Sequence, residues 1–250
     1  MSLIAHHEYR NFTESQNTLN PVKSSPKTIE ALKTFDSATV SNAIEQFARR
    51  DATHGYANLD LRCQFSEYEP MVGFAVTARC DSSTTADSRP QRIDEFFELM
   101  SAAPKPAIIV VQHVGTDRLK SCFFGDMFAA VTQERFGVVG AVTDAGCRDR
   151  AGIVRRAPGY QIFSPGWVVS HGHGAYIDFN VEVSICGLNI SPGDLLHGDE
   201  SGLLTIPHDI AEQVVNTAQD VRNSENDFFE FIKSKSFSMA ELVKRATAHS

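Results

Sequence analysis

The sequence predicts a single α/β domain, and three observations carry that expectation. Short apolar, β-branched runs alternate with stretches whose apolar residues recur every three or four positions. No internal repeat breaks the alternation, and no long linker interrupts it after residue 28. The chain's 250 residues are enough to bury a full core. Its 42% hydrophobic and 22% charged residues are those of a folded chain rather than a disordered one.

Residues 1–27 are polar, weakly periodic and punctuated by Pro21 and Pro26. They are expected to form an arm, partly disordered or docked on a neighbour, ahead of a domain spanning 28–250. From Thr28 to Arg49, Ile29, Leu32, Phe35, Val40, Ala43, Ile44 and Phe47 follow helical spacing with a break at 36–39. Two helices are expected, the second capped near Ser37 or Thr39. Met71–Ala78 reads as a strand and Pro90–Met100 as an acidic helix. Ala107–Val111 is a buried strand by length and branching. Asp126–Phe136 is a helix closed by Gly137, where a left-handed cap is usual. Val138–Thr143, apolar on both faces, is a strand covered on each side. Gln161–Val169, Val181–Ile185 and Leu203–Ile206 read as further strands, and Asp209–Asn223 and Ser238–Ala246 as closing helices.

Lys and Arg total 23 against 31 Asp and Glu, a formal charge of −8. Such a molecule repels nucleic acid and anionic membrane, so neither is an expected partner, and an anionic ligand needs a local basic cluster. Five cysteines without a CxxC spacing argue against a disulfide framework or a sulfur-rich zinc site. His6, His7, Glu8 and Arg10 stand where a secretory signal needs an apolar run, and no stretch reaches membrane-spanning length. A cytoplasmic location is expected.

The chemistry concentrates in Phe124-Gly125-Asp126-Met127-Phe128 and in Gly140 to Asp149. The first is a glycine turn feeding a helix, whose free N–H groups attract a carboxylate or phosphate. The second ends a buried strand with Arg148 and Asp149, a forked guanidinium for an anion and a hard oxygen for a divalent cation. Taken alone, such a pair is as well read as a surface salt bridge.

Together with Pro192-Gly193-Asp194, Gly198-Asp199-Glu200-Ser201-Gly202 and Pro207, and with Thr39–Ala43 and Val72–Thr77 upstream, these segments resemble the RraA-like proteins and 4-hydroxy-4-methyl-2-oxoglutarate aldolases. The resemblance runs from about Phe35 to Pro207. It implies a swivelling β/β/α fold, a homotrimer or homohexamer with interfacial sites, and a class II, Mg²⁺- or Mn²⁺-dependent pyruvate aldolase with oxaloacetate decarboxylation as a side reaction. The same family holds non-catalytic regulators of ribonuclease E, and a lyase or hydratase for another oxo acid is a further alternative. Carried over by position, Gly125, Asp126, Met127 and Phe128 form the carboxylate cradle, Arg148 clamps the anion and the enolate, and Asp149 holds the metal. The regulators usually lack the acid that this chain keeps at Asp149.

The base for the C4 hydroxyl is open among Asp126 and, from a neighbouring subunit, Asp199 or Glu200. Asp126 is as well read as a helix-start acid, and Asp199 and Glu200 as turn residues. His171-Gly172-His173-Gly174 is expected to be a loop at the rim of the site rather than a zinc site, its imidazoles within reach of the distal end of the substrate. One of Arg148, Arg150, Arg155 and Arg156 is a candidate for a second substrate carboxylate. Lys105 and Lys120 lie in no apolar run that would depress a lysine for Schiff-base chemistry, and Cys147 reads as a small packing residue.

Overall fold

The computed structural model describes residues 24–83 and 92–248. The chain enters through helix α1 (Pro26–Leu32) and α2 (Ser37–Glu45), then β1 (Arg62–Cys63) and the long β2 (Met71–Asp81). There follow α3 (Ile93–Ala102), β3 (Ala107–His113), a 3-10 turn (Arg118–Lys120), β4 (Cys122–Phe124), α4 (Asp126–Phe136), β5 (Val138–Thr143) and β6 (Gly146–Cys147). Helix α5 (Arg150–Arg156), β7 (Gln161–Ser164), β8 (Ala175–Phe179) and the hairpin β9 (Val183–Ile185) and β10 (Leu188–Ile190) come next. The strands β11 (Leu195–Asp199) and β12 (Gly202–Ile206) and the helices α6 (Ala211–Lys233) and α7 (Met239–Ala248) complete it.

The main sheet runs β1-β7-β5-β3-β2-β11-β12, with β8 added on the far half of β2. Strands β2, β3, β5 and β7 are parallel, and β1, β8, β11 and β12 enter antiparallel to their neighbours. The sheet curls until its margins nearly meet. Residues 56–63 bridge the opening, Tyr56 pairing with Leu204 of β12 and Arg62 with Ser164 of β7. Across the interior, a Cβ added at Gly198 of β11 would stand 2.7 Å from the Phe163 ring of β7, so only glycine fits there.

The inner face packs Met71, Ile108, Val110, Val142, Phe163 and Leu196 under the β9–β10 hairpin. The outer face carries two covers. Phe96 and Met100 of α3, Ala129 of α4 and Ile153 of α5 lie over Val76, Ala78, Ile109, Val111 and Ala141. Leu32 of α1, Val40 and Ile44 of α2 and Val214 of α6 lie over Val72, Phe74, Leu195 and Ile206. Strand, sheet and helix layers thus stack as the α/β expectation requires, and β5 is buried on both faces.

Helix α4 and strand β5 fall where the periodicity predicts, with Gly137 left-handed at φ 61. Several boundaries differ. Helix α1 begins at Pro26, two residues before Thr28, with Ser25 accepting the Thr28 N–H; residues 1–23 of the expected arm lie outside the described residues. Helix α2 is capped by Asp36 rather than Ser37 or Thr39, because the Asp36 carboxylate accepts both the N–H and the hydroxyl of Thr39 at 2.8 Å. The strand expected over 161–169 stops at Ser164, where Pro165 removes the ladder donor. The acidic helix begins at Ile93 and not Pro90, which with the rest of 84–91 lies outside the described residues. Helix α6 extends to Lys233, ten residues past Asn223.

Candidate active site

The site is built at the carboxyl edge of the parallel strands, where α/β sheets bind ligands. After β5, the two residues of β6 pair in parallel with β4, and the Arg148 N–H donates to Phe124 O at 2.9 Å. On the other side of β6, Cys147 N–H donates to Gly166 O at 3.0 Å and Val168 N–H to Cys147 O at 2.8 Å. Strand β6 is therefore clasped from both sides, and β4 feeds straight into α4 beside Arg148.

The consequence is a convergence of three predicted residues. A Cβ at Gly125 would stand 3.0 Å from Asp149 Oδ2 and 3.3 Å from Arg148 Cγ, so the glycine keeps the floor of the site open. Arg148 Nε donates to Asp149 Oδ2 at 2.8 Å, and both side chains are about one third exposed, at 31% and 36%. Asp149 is left-handed at φ 61, turning the chain from β6 into α5. Gly125 caps α4 with no side chain, and the helix's first internal bond is Ala129 N–H to Gly125 O. The first-turn amides of Asp126, Met127 and Phe128 therefore lack intrahelical acceptors and, with the positive end of the dipole, suit an anion.

The side chains of the cradle do other things. Phe128 stacks with Phe96 and Phe97 and lies tilted against Phe124, anchoring α4 to the core, and Met127 is exposed. Asp126 turns to α5, where it pairs with Arg156 and lies over Gly152, so its carboxylate fastens two helices rather than facing Arg148. Arg150 stacks on Phe65 at 5.0 Å and reaches Glu67 at 3.8 Å, and Arg155 is exposed on the same helix. The basic run thus divides: Arg148 faces the site, Arg150 and Arg156 serve packing and ion pairs.

Asp199 accepts the Ser37 N–H at 2.7 Å and the Ser201 N–H at 2.8 Å, joining β11 and its turn to the start of α2. Glu200 is exposed in that turn. Because β11 is antiparallel to β2, with Gly198 opposite Met71, both acids lie at the amino edge of the parallel strands. Within one chain they stand across the sheet from Arg148 and Asp149 and reach that site only from a second copy.

The histidine loop lies on the carboxyl edge. His173 N–H donates to Ser82 O at 2.7 Å, just past β2, and an added Cβ at Gly172 would strike the same carbonyl. Three residues absent from the predicted set share this edge. Asp144 accepts the His113 N–H at 2.7 Å and Arg118 donates to the Asp144 carbonyl at 2.6 Å. Burial raises the Asp144 carboxyl, partly offset by the His113 N–H, and lowers His113, whose ring lies 3.2 Å from the N–H groups of Ser82 and Gly115. Two of them carried a signal: His113 is the last residue of the apolar strand β3, and Asp144 directly follows β5.

Cys147 is fully buried, and burial pushes its thiol up, as a packing residue requires. Lys105 departs from expectation: burial lowers it, since its stem packs on Gly137 and its ammonium donates to Met100 O. It precedes β3 at the amino edge, far from Arg148 along the strands. Among the described residues no group of three or more His, Cys, Asp or Glu could hold a metal. A single carboxylate is enough for a water-rich Mg²⁺ or Mn²⁺ when waters and substrate oxygens complete the shell, and Asp149 offers a hard oxygen of that kind.

The chain is thus a curled α/β sheet with a helix start beside an Arg-Asp pair at its carboxyl edge. The RraA-like model, described as Aldolase/RraA, matches residues 37–205, and the chain belongs to that family, whose members are either RraA regulators or enzymes of aldolase and decarboxylase type. Protein DlpA of Legionella pneumophila is 31% identical over 124 residues, 49% of this chain and 19% of that protein. An uncharacterized protein of Methanocaldococcus jannaschii is 26% identical over 129 residues, 51% of this chain and 61% of its own. The chain thus spans less than two thirds of each of these relatives. Among solved structures, an uncharacterized protein from Pseudomonas syringae pv. tomato superposes with a TM-score of 0.69 at 22% identity, covering 90% of this chain and 95% of that one. Streptomyces coelicolor RraAS2, described as an unusual member of the RNase ES inhibitor RraA family, gives 0.62 at 21%, covering 85% and 98%. At these identities the likeness is one of fold. No helix among the described residues is long and apolar enough to cross a membrane.

Proposed function

We propose that the chain is a divalent-metal-dependent carbon–carbon lyase that cleaves a 4-hydroxy-2-oxo di- or tricarboxylic acid, such as 4-hydroxy-4-methyl-2-oxoglutarate, to pyruvate. The observation that carries the reading is the approach of Gly125 to both Arg148 and Asp149. It brings a helix start, a guanidinium and a carboxylate together in one place.

In this reading the amides of Asp126, Met127 and Phe128 bind the substrate's C1 carboxylate at the helix start. Arg148 orients the 2-keto oxygen and stabilises the negative charge that gathers there as C3–C4 breaks. Mg²⁺ or Mn²⁺ held by Asp149 would supply Lewis-acid polarisation of that oxygen. The Arg148–Asp149 bond keeps both groups aligned before substrate arrives. Oxaloacetate, whose decarboxylation leaves the same enolate, is the expected side substrate.

Pyruvate release from both acids, measured with Mg²⁺ or Mn²⁺ and again with excess EDTA, tests the reading. Metal-dependent turnover abolished by Asp149→Ala supports it; no activity on either acid, or activity indifferent to chelator, overturns it.

A second reading, a regulator that binds a protein partner, draws on one observation. The α6–α7 region leaves Phe229, Ile232, Phe237, Met239 and Val243 exposed. Stoichiometric capture of a partner by a chain inactive on both acids would favour it.

A further inference from the structure

Helix α6 is longer than the domain it packs on. In its first half Ala211, Val214 and Ala218 are buried in one cluster with Ile29, Leu32 and Val40, and Arg222 donates to Thr34 O at 2.7 Å. Those positions keep the three- and four-residue spacing of a helix seam, and the same seam continues through Glu225, Phe229 and Ile232. Past Arg222 the domain no longer covers it: Glu225 is exposed, Phe229 is 51% exposed and Ile232 39%. The overhang, residues 223–233, is about 16 Å long.

The end of the chain covers a different face of this overhang. Phe237, in the turn after α6, and Arg245 of α7 pack on Phe231, the Phe237 ring at 5.6 Å and the guanidinium at 4.3 Å. Phe231 is buried, and two positions along a helix place it about 200° around the axis from Phe229. The seam itself carries an order of side chains. Glu225, Phe229 and Lys233 stand at four-residue intervals and form one ridge, acid at one end, cation at the other and an aromatic ring between. Among the described residues neither Glu225 nor Lys233 is in an ion pair. Turned end over end, the ridge is complementary to itself. Laid antiparallel with Phe229 against the same residue of a second copy, Glu225 of each chain faces Lys233 of the other, and the second copy's Arg222 falls past the end of α6. A foreign protein would need the inverse order of charges; a second copy supplies it by symmetry.

We propose that the overhang of α6 is a self-association surface, on which a second copy of the chain seats antiparallel about a two-fold axis at Phe229. The inference goes beyond the lyase reading and does not depend on it. A two-fold contact of this kind doubles whatever assembly the chain forms through other surfaces.

Sedimentation equilibrium of the full-length chain at micromolar concentration tests the proposal. The wild type is expected to hold an even number of chains, and Phe229→Glu, which places a charge at the axis, half that number. Glu225→Lys and Lys233→Glu each set like charges together at both symmetric contacts and should raise the dissociation constant by about tenfold or more. Mixing the two single variants, or joining them in one chain, restores opposite charges and should return it to within about threefold of wild type. Because all three positions are exposed, each variant is expected to keep the circular dichroism and melting temperature of the wild type. A wild type with an odd number of chains, a Phe229→Glu assembly of unchanged mass, or charge reversals without that loss and recovery overturns the proposal and leaves the ridge to another protein.

Discussion

At the residue scale, Gly125 is the most sharply defined position. Its backbone is extended, at φ −136, so its requirement for glycine comes from space and not from conformation. Gly125→Ala is expected to fold with a melting temperature close to wild type and to lose most turnover, because the methyl group presses on Asp149 Oδ2. A variant that keeps full activity would show that the floor of the site lies elsewhere. Arg148→Ala is expected to cost about 3 kcal/mol of transition-state stabilisation, a drop of 10²-fold or more in kcat/KM. Because Arg148 is matched to a planar acceptor, Arg148→Lys should recover little of it.

His197 makes the opposite case, a residue whose chemistry is structural. Its Nε2 donates to Leu32 O and Phe35 O at 3.2 and 3.1 Å, and its Nδ1 accepts from the Ser37 hydroxyl at 3.0 Å. Burial lowers its pKa below the unfolded value of about 6.5. The unfolded chain therefore binds more protons between the two values. Stability is full above about pH 6.5 and falls as the pH drops from there toward the lowered folded value. Denaturant midpoints measured across that window should fall more steeply for wild type than for His197→Gln. Buried Asp144 and half-buried Asp194, both raised by desolvation, act with opposite sign in the carboxylate range.

At the element scale, α2 shows how two distant carboxylates share one helix start. Asp36 accepts from Thr39 and Asp199 from Ser37, so Asp199→Ala removes a tertiary cap rather than a surface charge. A loss of about 1–3 kcal/mol is expected in chemical denaturation, the cost of a buried amide left unpaired. Asp36→Ala should cost about 1 kcal/mol. An Asp199 variant of unchanged stability would return that residue to the list of catalytic candidates.

The same elements explain what was legible in the sequence. Strands β3 and β5 are apolar because both of their faces are covered, and α4 ends in a glycine that its own geometry demands; these signals are local. Strand β11 was missed because Leu195-Leu196-His197-Gly198-Asp199 looks half polar, and its polar atoms are satisfied by residues about 160 positions away. Helix α5 is only seven residues long and opens on charged groups, so it carries too few turns for a periodic signal. Of the site, Gly125, Arg148 and Asp149 were legible as a motif, since β4 and β6 bring near neighbours in sequence together. The course of the loop through His171 was not, because it is set by contacts to Cys147 and Ser82.

At the scale of the whole molecule, closure of the sheet depends on the strap of residues 56–63 and on Arg50, which donates to the hydroxyl and the carbonyl of Thr205 at 2.8 and 2.9 Å. Arg50→Met keeps the length of the stem and removes both bonds. It is expected to lower stability by about 1–3 kcal/mol while leaving kcat within a few-fold of wild type, since the seam is remote from Arg148. A large kcat loss at unchanged stability would contradict that division of labour.

The antiparallel entry of β11 has a consequence for how such a protein changes over time. It assigns the acids that fasten α2 to one rim of the curl and the groups suited to chemistry to the other. A lineage can therefore exchange the loops of the reactive rim, and with them the molecules it handles, while the opposite rim keeps the fold closed. A regulator without catalysis and an enzyme can share one frame by this route, each having revised the same margin of the sheet and kept the other.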